Sequence, residues 1–385
     1  YFAENETDPN RVYLLFMPLT TGPCRTGQYA VFYQSLFQEL GYKNVVVLSL
    51  NSDNSYAELG GEFNKRAWWA VVLSDYMVDV QMALRALAAD RAEAQAVYEA
   101  VCEEMVEAAG RGTAALEHGL ARWARKLGGI RLKRRMSRAR RVLVVGEIFV
   151  RRDDFSVETL IAHLADKEIV PKVTSLSEWI HYLDYDQVRK LRKSLAAMPA
   201  MRRLISPEAR KLAYLKVEML WKGWVEHKIV KELGASGLIP ESPHGMERIM
   251  ARSTEFTTPE LESEASLSPA VAAVAMDEGY DGVAIIAPFA CLPGRLIEAL
   301  FAPWARERRL PVISLENDGN PYPPNVVSRI EIFSHNVSRG IRESSAVTSG
   351  SQESSRATVG AGAEATGCES CSGCGCEQPP RARPN

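Results

Sequence analysis

VYLLFMPLTTGPCRTGQYAVFYQSLF, residues Val12–Phe37, passes from a β-rich run through a loop bounded by proline and glycine into a run with helical spacing. In the first part, RVYLLFM is apolar and rich in strand formers. In the last, Tyr29, Val31, Phe32, Leu36, Phe37 and Leu40 recur at the spacing of one helix face, and NVVVLSL (Asn44–Leu50) follows as a second strand. Strand, helix, strand over so short a span predicts a βαβ unit, and βαβ units build parallel sheets.

The same alternation returns twice. VLVVGEIFV from Val142 is followed by FSVETLIAHLAD, EIVPKVT and SLSEWIHYL, which read as strand, helix, strand and helix. From Ser268 the order is helix (SPAVAAVAMDEG), strand (GVAIIAPF), loop (ACLPG), helix (RLIEALFAPWARER), strand (PVISLEN) and helix (PPNVVSRIEIFSHN). Between these lie helical stretches: proline-free sequence rich in Ala, Leu, Met and Glu from about Gly61 to Leu127, and a second run from Pro207 to Leu233 that reads as packing or a dimer face. The predicted fold is therefore α/β, with Rossmann-like or flavodoxin-like subdomains on parallel sheets, helical insertions and a disordered C-terminal tail. The expected units are residues 1–60, a first α/β unit with the Cys24 loop; 61–140, a helical insertion and basic linker; 141–235, a second α/β unit with a helical extension; 236–338, an α/β unit with the Cys291 loop; and 339–385, a cysteine-containing tail. That tail lacks aliphatic periodicity and carries too little apolar surface to offset the entropy of ordering.

Composition narrows the function classes. The chain has 385 residues, 46% of them hydrophobic, and a formal net charge of -2, so no global field draws nucleic acid or an anionic membrane. Its longest apolar runs fall short of the ~20 residues that cross a bilayer. YFAENETDPN has none of the marks of a signal peptide, and the opening Tyr1 reads as the start of a piece of something longer. Seven cysteines, four of them crowded near the C-terminus, do not resemble a secreted disulfide framework, so a reducing cytoplasm is expected. RLKRRMSRARR (Arg131–Arg141) holds seven basic residues and reads either as a solvated linker or as a phosphate or partner contact.

Two segments share one layout of strand, proline-bounded loop with a single cysteine, and amphipathic helix: FMPLTTGPCRTGQYAVF around Cys24 and IAPFACLPGRLIEALF around Cys291. In a parallel sheet such loops fall at the carboxyl ends of strands, where ligand crevices form. A thiol just ahead of a helix sits near the positive end of the macrodipole, which favours the thiolate, the form that iron binds. Gly22, Gly27 and Gly294 permit close backbone approach, and Pro18, Pro23, Pro288 and Pro293 stiffen the loops.

These residues carry a resemblance. FMPLTTGPCRTGQY, ELGYKNVVVLSLNSD, VLVVGEIFVRRDDF with SLSEWIHYL, and EGYDGVAIIAPFACLPG with PVISLENDG resemble, in order, landmarks of the 2-hydroxyacyl-CoA dehydratase-related iron–sulfur proteins. The closer likeness is to the large activase-related branch, which joins an ATPase activator region and a dehydratase-like region on one chain. The resemblance runs from about Arg11 to Asn336. It implies α/β subdomains with a 4Fe–4S or double-cubane cluster between them, held in part by Cys24 and Cys291. The family's third cysteine position lies upstream of the Gly-Pro-Cys-Arg motif, ahead of Tyr1, and no nucleotide-binding glycine loop of the activator is present here.

Related dehydratases remove water from a 2-hydroxyacyl thioester after one electron from the cluster makes a ketyl radical. The implied activity is thus that of a lyase or reductase component, with an ATP-dependent activator protein or domain and an acyl-CoA as partners and a dimer or larger assembly as the working state. Other polar groups expected at the crevice are Arg25, Gln28, Glu147, Arg151, Ser177, Glu178 and Asp318. Structural roles compete for several of them: an ion pair of Glu147 with Arg151, an N-cap for Ser177, a turn aspartate for Asp318. Cys102 lies among apolar neighbours on a helix and reads as a buried structural thiol. The six histidines show no metal-binding spacing, and none is assigned to a metal.

Cys368, Cys371, Cys374 and Cys376 form C-x2-C-x2-C-x-C, which reads either as a metal or cluster site or as a reduced, disordered tail. Two function classes remain open beside the cluster module: a non-catalytic scaffold or docking fragment of a larger activase-related protein, and a thiol redox sensor that pairs Cys24 with Cys291.

Overall fold

The structure is a computed structural model that describes Asp8 and residues 10–19, 24–50, 60–239 and 245–340. The cysteine-rich tail, Gly22, Pro23 and His244 lie outside the described residues.

The described residues form six strands and twelve α-helices: β1 (Tyr13–Pro18), α1 (Thr26–Glu39), β2 (Val45–Leu50), α2 (Gly61–Leu87), α3 (Arg91–Arg111), α4 (Thr113–Gly128), β3 (Arg140–Gly146), α5 (Asp154–Asp166), β4 (Ile169–Val173), α6 (Leu176–Ala196), α7 (Ala200–Ile205), α8 (Pro207–Gly234), α9 (Met246–Ser253), α10 (Glu264–Asp277), β5 (Gly282–Pro288), α11 (Leu292–Glu307), β6 (Val312–Asn317) and α12 (Pro324–Arg339). The fold is α/β and every strand pair is parallel. β1 and β2 form a small sheet, and the larger one has the order β4-β3-β5-β6. The stretches read as residues 141–235 and 236–338 thus meet in one sheet, through pairing of β3 with β5.

The strand sequences explain this order. VLVV in β3 and VAIIA in β5 are buried on both faces, as the two central strands of a parallel sheet must be. β4 carries Pro171, which cannot donate to a ladder, and it lies at the edge. Leu143, Val145, Val283 and Ile285 face a core shared with α9, α10 and α11, while Val142, Val144, Ala284 and Ile286 face α5 and α12. The result is a three-layer sandwich. A separate helical core joins α2, α3, α4 and α8 around Trp68, Trp69, Leu120 and Trp123.

α10 begins four residues earlier than its sequence suggests. Ser-Pro at Ser268 looks like a helix start, yet Ser263 supplies the cap by accepting the Ala265 N–H (3.0 Å), and Pro269 is taken into the helix. That extension brings Glu264 to the carboxyl edge of the sheet.

Among the described residues no helix is long and apolar enough to cross a membrane.

Candidate functional site

After β3 the chain turns toward β4, and after β5 it turns toward β6, so the strand order reverses between the two central strands. Crevices form at such reversals, beyond the carboxyl ends of the strands. Here those ends are Gly146 and Pro288. Gly146 has φ +122°, and a Cβ on it would lie 1.9 Å from the Ile286 carbonyl oxygen, so only glycine permits the exit from β3. The Glu147 N–H then donates to the same carbonyl (2.9 Å), and the Glu147 carboxylate accepts the Val150 N–H (2.8 Å).

Across the crevice, Cys291 occupies the N-cap of α11. The residue before it, Ala290, is held at φ +56°, a left-handed conformation that costs a non-glycine residue about 1 kcal/mol or more. The Phe289 N–H donating to the Asn317 carbonyl (2.8 Å) and the Ala290 N–H donating to Glu316 (3.3 Å) fix this turn against β6. Gly294 lets the first turn of α11 close onto the strand, since a Cβ there would come 2.4 Å from that of Ala287 and 3.7 Å from Cys291 Sγ.

Cys24 stands at the start of α1, half-buried, its thiol donating to Thr26 Oγ1 (3.4 Å). Burial pushes the Cys291 thiol above its ordinary pKa; the Gly294 N–H opposes the rise, and Glu264, Glu147 and Cys24 add to it. Burial therefore outweighs the one backbone N–H of the first turn of α11 that favours the thiolate. It also follows that Cys24 and Cys291, 267 positions apart in the chain (291 − 24), lie within electrostatic reach of each other. Cys24, Glu147 and Glu264 thus lie within electrostatic reach of Cys291.

Arg151 is buried beneath the same edge. Its guanidinium donates to the Gly146 carbonyl (2.6 Å) and the Ser175 carbonyl (3.3 Å) rather than to Glu147, and its Nε has no hydrogen-bond partner. Burial lowers its pKa against the pull of Glu264 and Glu178. Both of those carboxyls are raised by burial to about 7, with Arg151 opposing each shift. Glu264 also accepts the Ile148 N–H (3.0 Å). Carboxyls that exchange a proton near neutrality are unusual outside functional sites.

The remaining expected residues divide. Arg25 and Gln28 are exposed on the first turn of α1. Ser177 does not cap α6: Ser175 does, by accepting the Glu178 N–H (3.2 Å), while the buried Ser177 donates its own N–H to Asp75 (2.8 Å). Asp318 is a turn aspartate, accepting the Asn320 N–H (3.0 Å), and this contact lowers its pKa. Cys102 packs beside the helical core, away from the crevice, and burial raises its pKa.

Two groups were not singled out from the sequence. Glu264 was hidden by the misplaced start of α10. Asp75 and Asp79 lie in the apolar run WWAVVLSDYMVDV, and Lys172 lies in the middle of a strand; a charge inside an apolar run is the signal that marks them. Asp75 accepts the Leu176 N–H (2.9 Å) and pairs with Arg152, so a carboxylate from α2 already fills the anion position at the start of α6.

Two loop thiols within electrostatic reach of each other are donors of the type an iron–sulfur cluster takes. They do not complete it, because among the described residues no group of three or more His, Cys, Asp and Glu is placed to hold a metal ion. Fold and site together define an α/β protein with Cys291 at the strand-order reversal of its larger parallel sheet and Cys24 within electrostatic reach of it. No family model, no curated protein and no solved structure matches the chain.

Proposed function

We propose that this chain is an iron–sulfur module akin to the 2-hydroxyacyl-CoA dehydratase-related proteins, with Cys24 and Cys291 as two thiolate ligands of a 4Fe–4S or double-cubane cluster. The further ligands come from outside the described residues. Low-potential electrons arrive from an ATP-dependent activator protein or domain, and the substrate is a CoA thioester or another small molecule. When bound, such a cluster supplies one-electron chemistry that no side chain can. The chain's own part is to present two thiolates to one centre, to close backbone against Cys291 at Gly294, and to keep Glu264, whose charge reaches Cys291, near its protonation midpoint. The mutual reach of Cys24 and Cys291 carries this reading.

Anaerobic reconstitution with iron and sulfide tests it. The expected product is a brown protein with stoichiometric iron and sulfide, and Cys24→Ser and Cys291→Ser each lose most of both. A colourless wild-type protein, or serine variants that retain the full cluster, would refute it.

A docking or scaffold subunit is the second reading, and one surface favours it. On α8, Ala213, Val217, Leu220 and Trp224 are all exposed. Their spacing is that of a helix–helix seam, and Leu215, Val225 and Ile229 already bury the opposite side. On this reading a second copy of the chain covers the ridge. Sedimentation should then show a dimer that Leu220→Glu converts to monomer; a wild-type monomer at every concentration would remove this reading.

A further inference from the structure

The basic run at Arg131–Arg141 reads as a loose linker or a contact, but its backbone is pinned. Leu132 forms an antiparallel bridge with Ala88, through the Ala89 N–H donating to the Arg131 carbonyl (2.9 Å) and the Lys133 N–H donating to the Leu87 carbonyl (2.8 Å). Leu132 and Met136 anchor the segment on the helical core, and a single 3-10 turn at Met136–Arg138 bends it. Bent in this way, the segment lines an open depression of about 490 Å³ with Leu132 at its base and the exposed side chains of Lys133, Arg134, Arg135 and Arg138 around it.

Every polar lining side chain is a cation. Arg134 pairs with Glu168. Among the described residues Lys133, Arg135 and Arg138 have no acidic partner, although the chain as a whole carries more acid than base. Like charges repel, and the pinned backbone keeps the roots of these side chains within one short stretch. A ligand that relieves this repulsion is a multiply charged anion. Guanidinium forks match phosphate oxygens in bidentate geometry. The hollow is local and the chain is close to neutral, which suits a short phosphate chain and not the extended track that a nucleic acid needs.

We propose that this depression binds a chain of two or more phosphoryl groups, either free or as the phosphate tail of a nucleotide. It lies ahead of the amino end of β3, at the opposite edge of the sheet from the cysteine crevice, and the proposal is independent of any cluster there.

Isothermal titration of the full chain with tripolyphosphate, ATP, AMP and orthophosphate tests it, beside the variant Arg135→Ala/Arg138→Ala. Arg202→Ala/Lys211→Ala, at exposed positions outside the depression, is the control for general surface charge. Melting curves confirm that both variants fold. Tripolyphosphate should bind with a 1:1 endpoint, weaken by about tenfold or more in the Arg135→Ala/Arg138→Ala variant, and stay unchanged in the control; tenfold corresponds to about 1.4 kcal/mol. Orthophosphate and AMP should be at least about tenfold weaker than tripolyphosphate by the same measure. Equal affinity for ATP and tripolyphosphate assigns recognition to the phosphates alone, and tighter ATP binding assigns the nucleotide. Absence of a 1:1 endpoint, equal losses in both variants, or tighter binding of a single-stranded oligonucleotide that depends on Arg135 and Arg138 would overturn the proposal.

Discussion

Glu178 sits partly buried in the first turn of α6, and burial raises its pKa from the ordinary carboxyl value to about 7. In the unfolded chain the same group titrates near its ordinary 4.5. Between those two values the folded protein holds more protons than the unfolded one, so stability falls as pH rises across this window and the full penalty persists above it. The size of the shift corresponds to about 3 kcal/mol. Glu178→Gln removes the charge and keeps the shape. Urea unfolding should show the variant more stable than wild type at pH 8, by up to about 3 kcal/mol, and equal to it near pH 4. A variant equally or less stable at pH 8 would show that the carboxylate is better solvated than its burial implies. The neighbouring Lys172–Asp79 pair is also buried, but there each charge meets its opposite. Losing one partner of such a pair is what costs stability.

At the scale of elements, the exit from β3 is the most constrained position in the sheet. Gly146→Ala combines a left-sided φ with a clash against a backbone carbonyl of β5, and neither strand can retreat without breaking the central ladder. A loss of roughly 3 kcal/mol is expected, seen as a lower urea midpoint and a higher fraction of insoluble protein. The same stretch shows what is legible without coordinates. VLVVG and VAIIAP announce central strands because only a strand buried on both faces is apolar throughout, and Pro171 marks an edge because it lacks an N–H. Loop cysteines at strand ends also place themselves, since parallel topology dictates where those loops go. Helix starts are less legible. Ser268-Pro269 and Ser177 both look like caps, yet Ser263 and Ser175 do the capping, because several serines stand close together and only tertiary contacts choose among them. The buried charges were hidden for the same reason: whether Asp75 faces water or the start of α6 depends on a helix 101 positions further along the chain.

At the scale of the molecule, the two thiols belong to bodies of unequal strength. Among the described residues the β1–α1–β2 unit buries only Ala30, Phe37 and Val47 as hydrophobic core, and leaves Leu14, Phe16 and Val46 exposed on its other face. The larger sheet has Val142 through Val145 fully enclosed between helices. Local stability follows buried apolar contact, so the small sheet should open more often than the large one. In metal-free protein, amides of residues 13–18 and 45–50 are therefore expected to exchange hydrogen faster than those of 142–146 and 282–288. A centre held jointly by Cys24 and Cys291 would tie the weaker body to the stronger, because binding that requires both thiols stabilises only the closed arrangement. Reconstitution should then slow exchange in β1 and β2 while leaving β3 and β5 nearly unchanged, and Cys291→Ser should abolish the slowing. If the reconstituted protein is brown but β1 and β2 exchange as fast as before, the iron is held elsewhere, and the convergence of the two cysteines is a matter of packing alone.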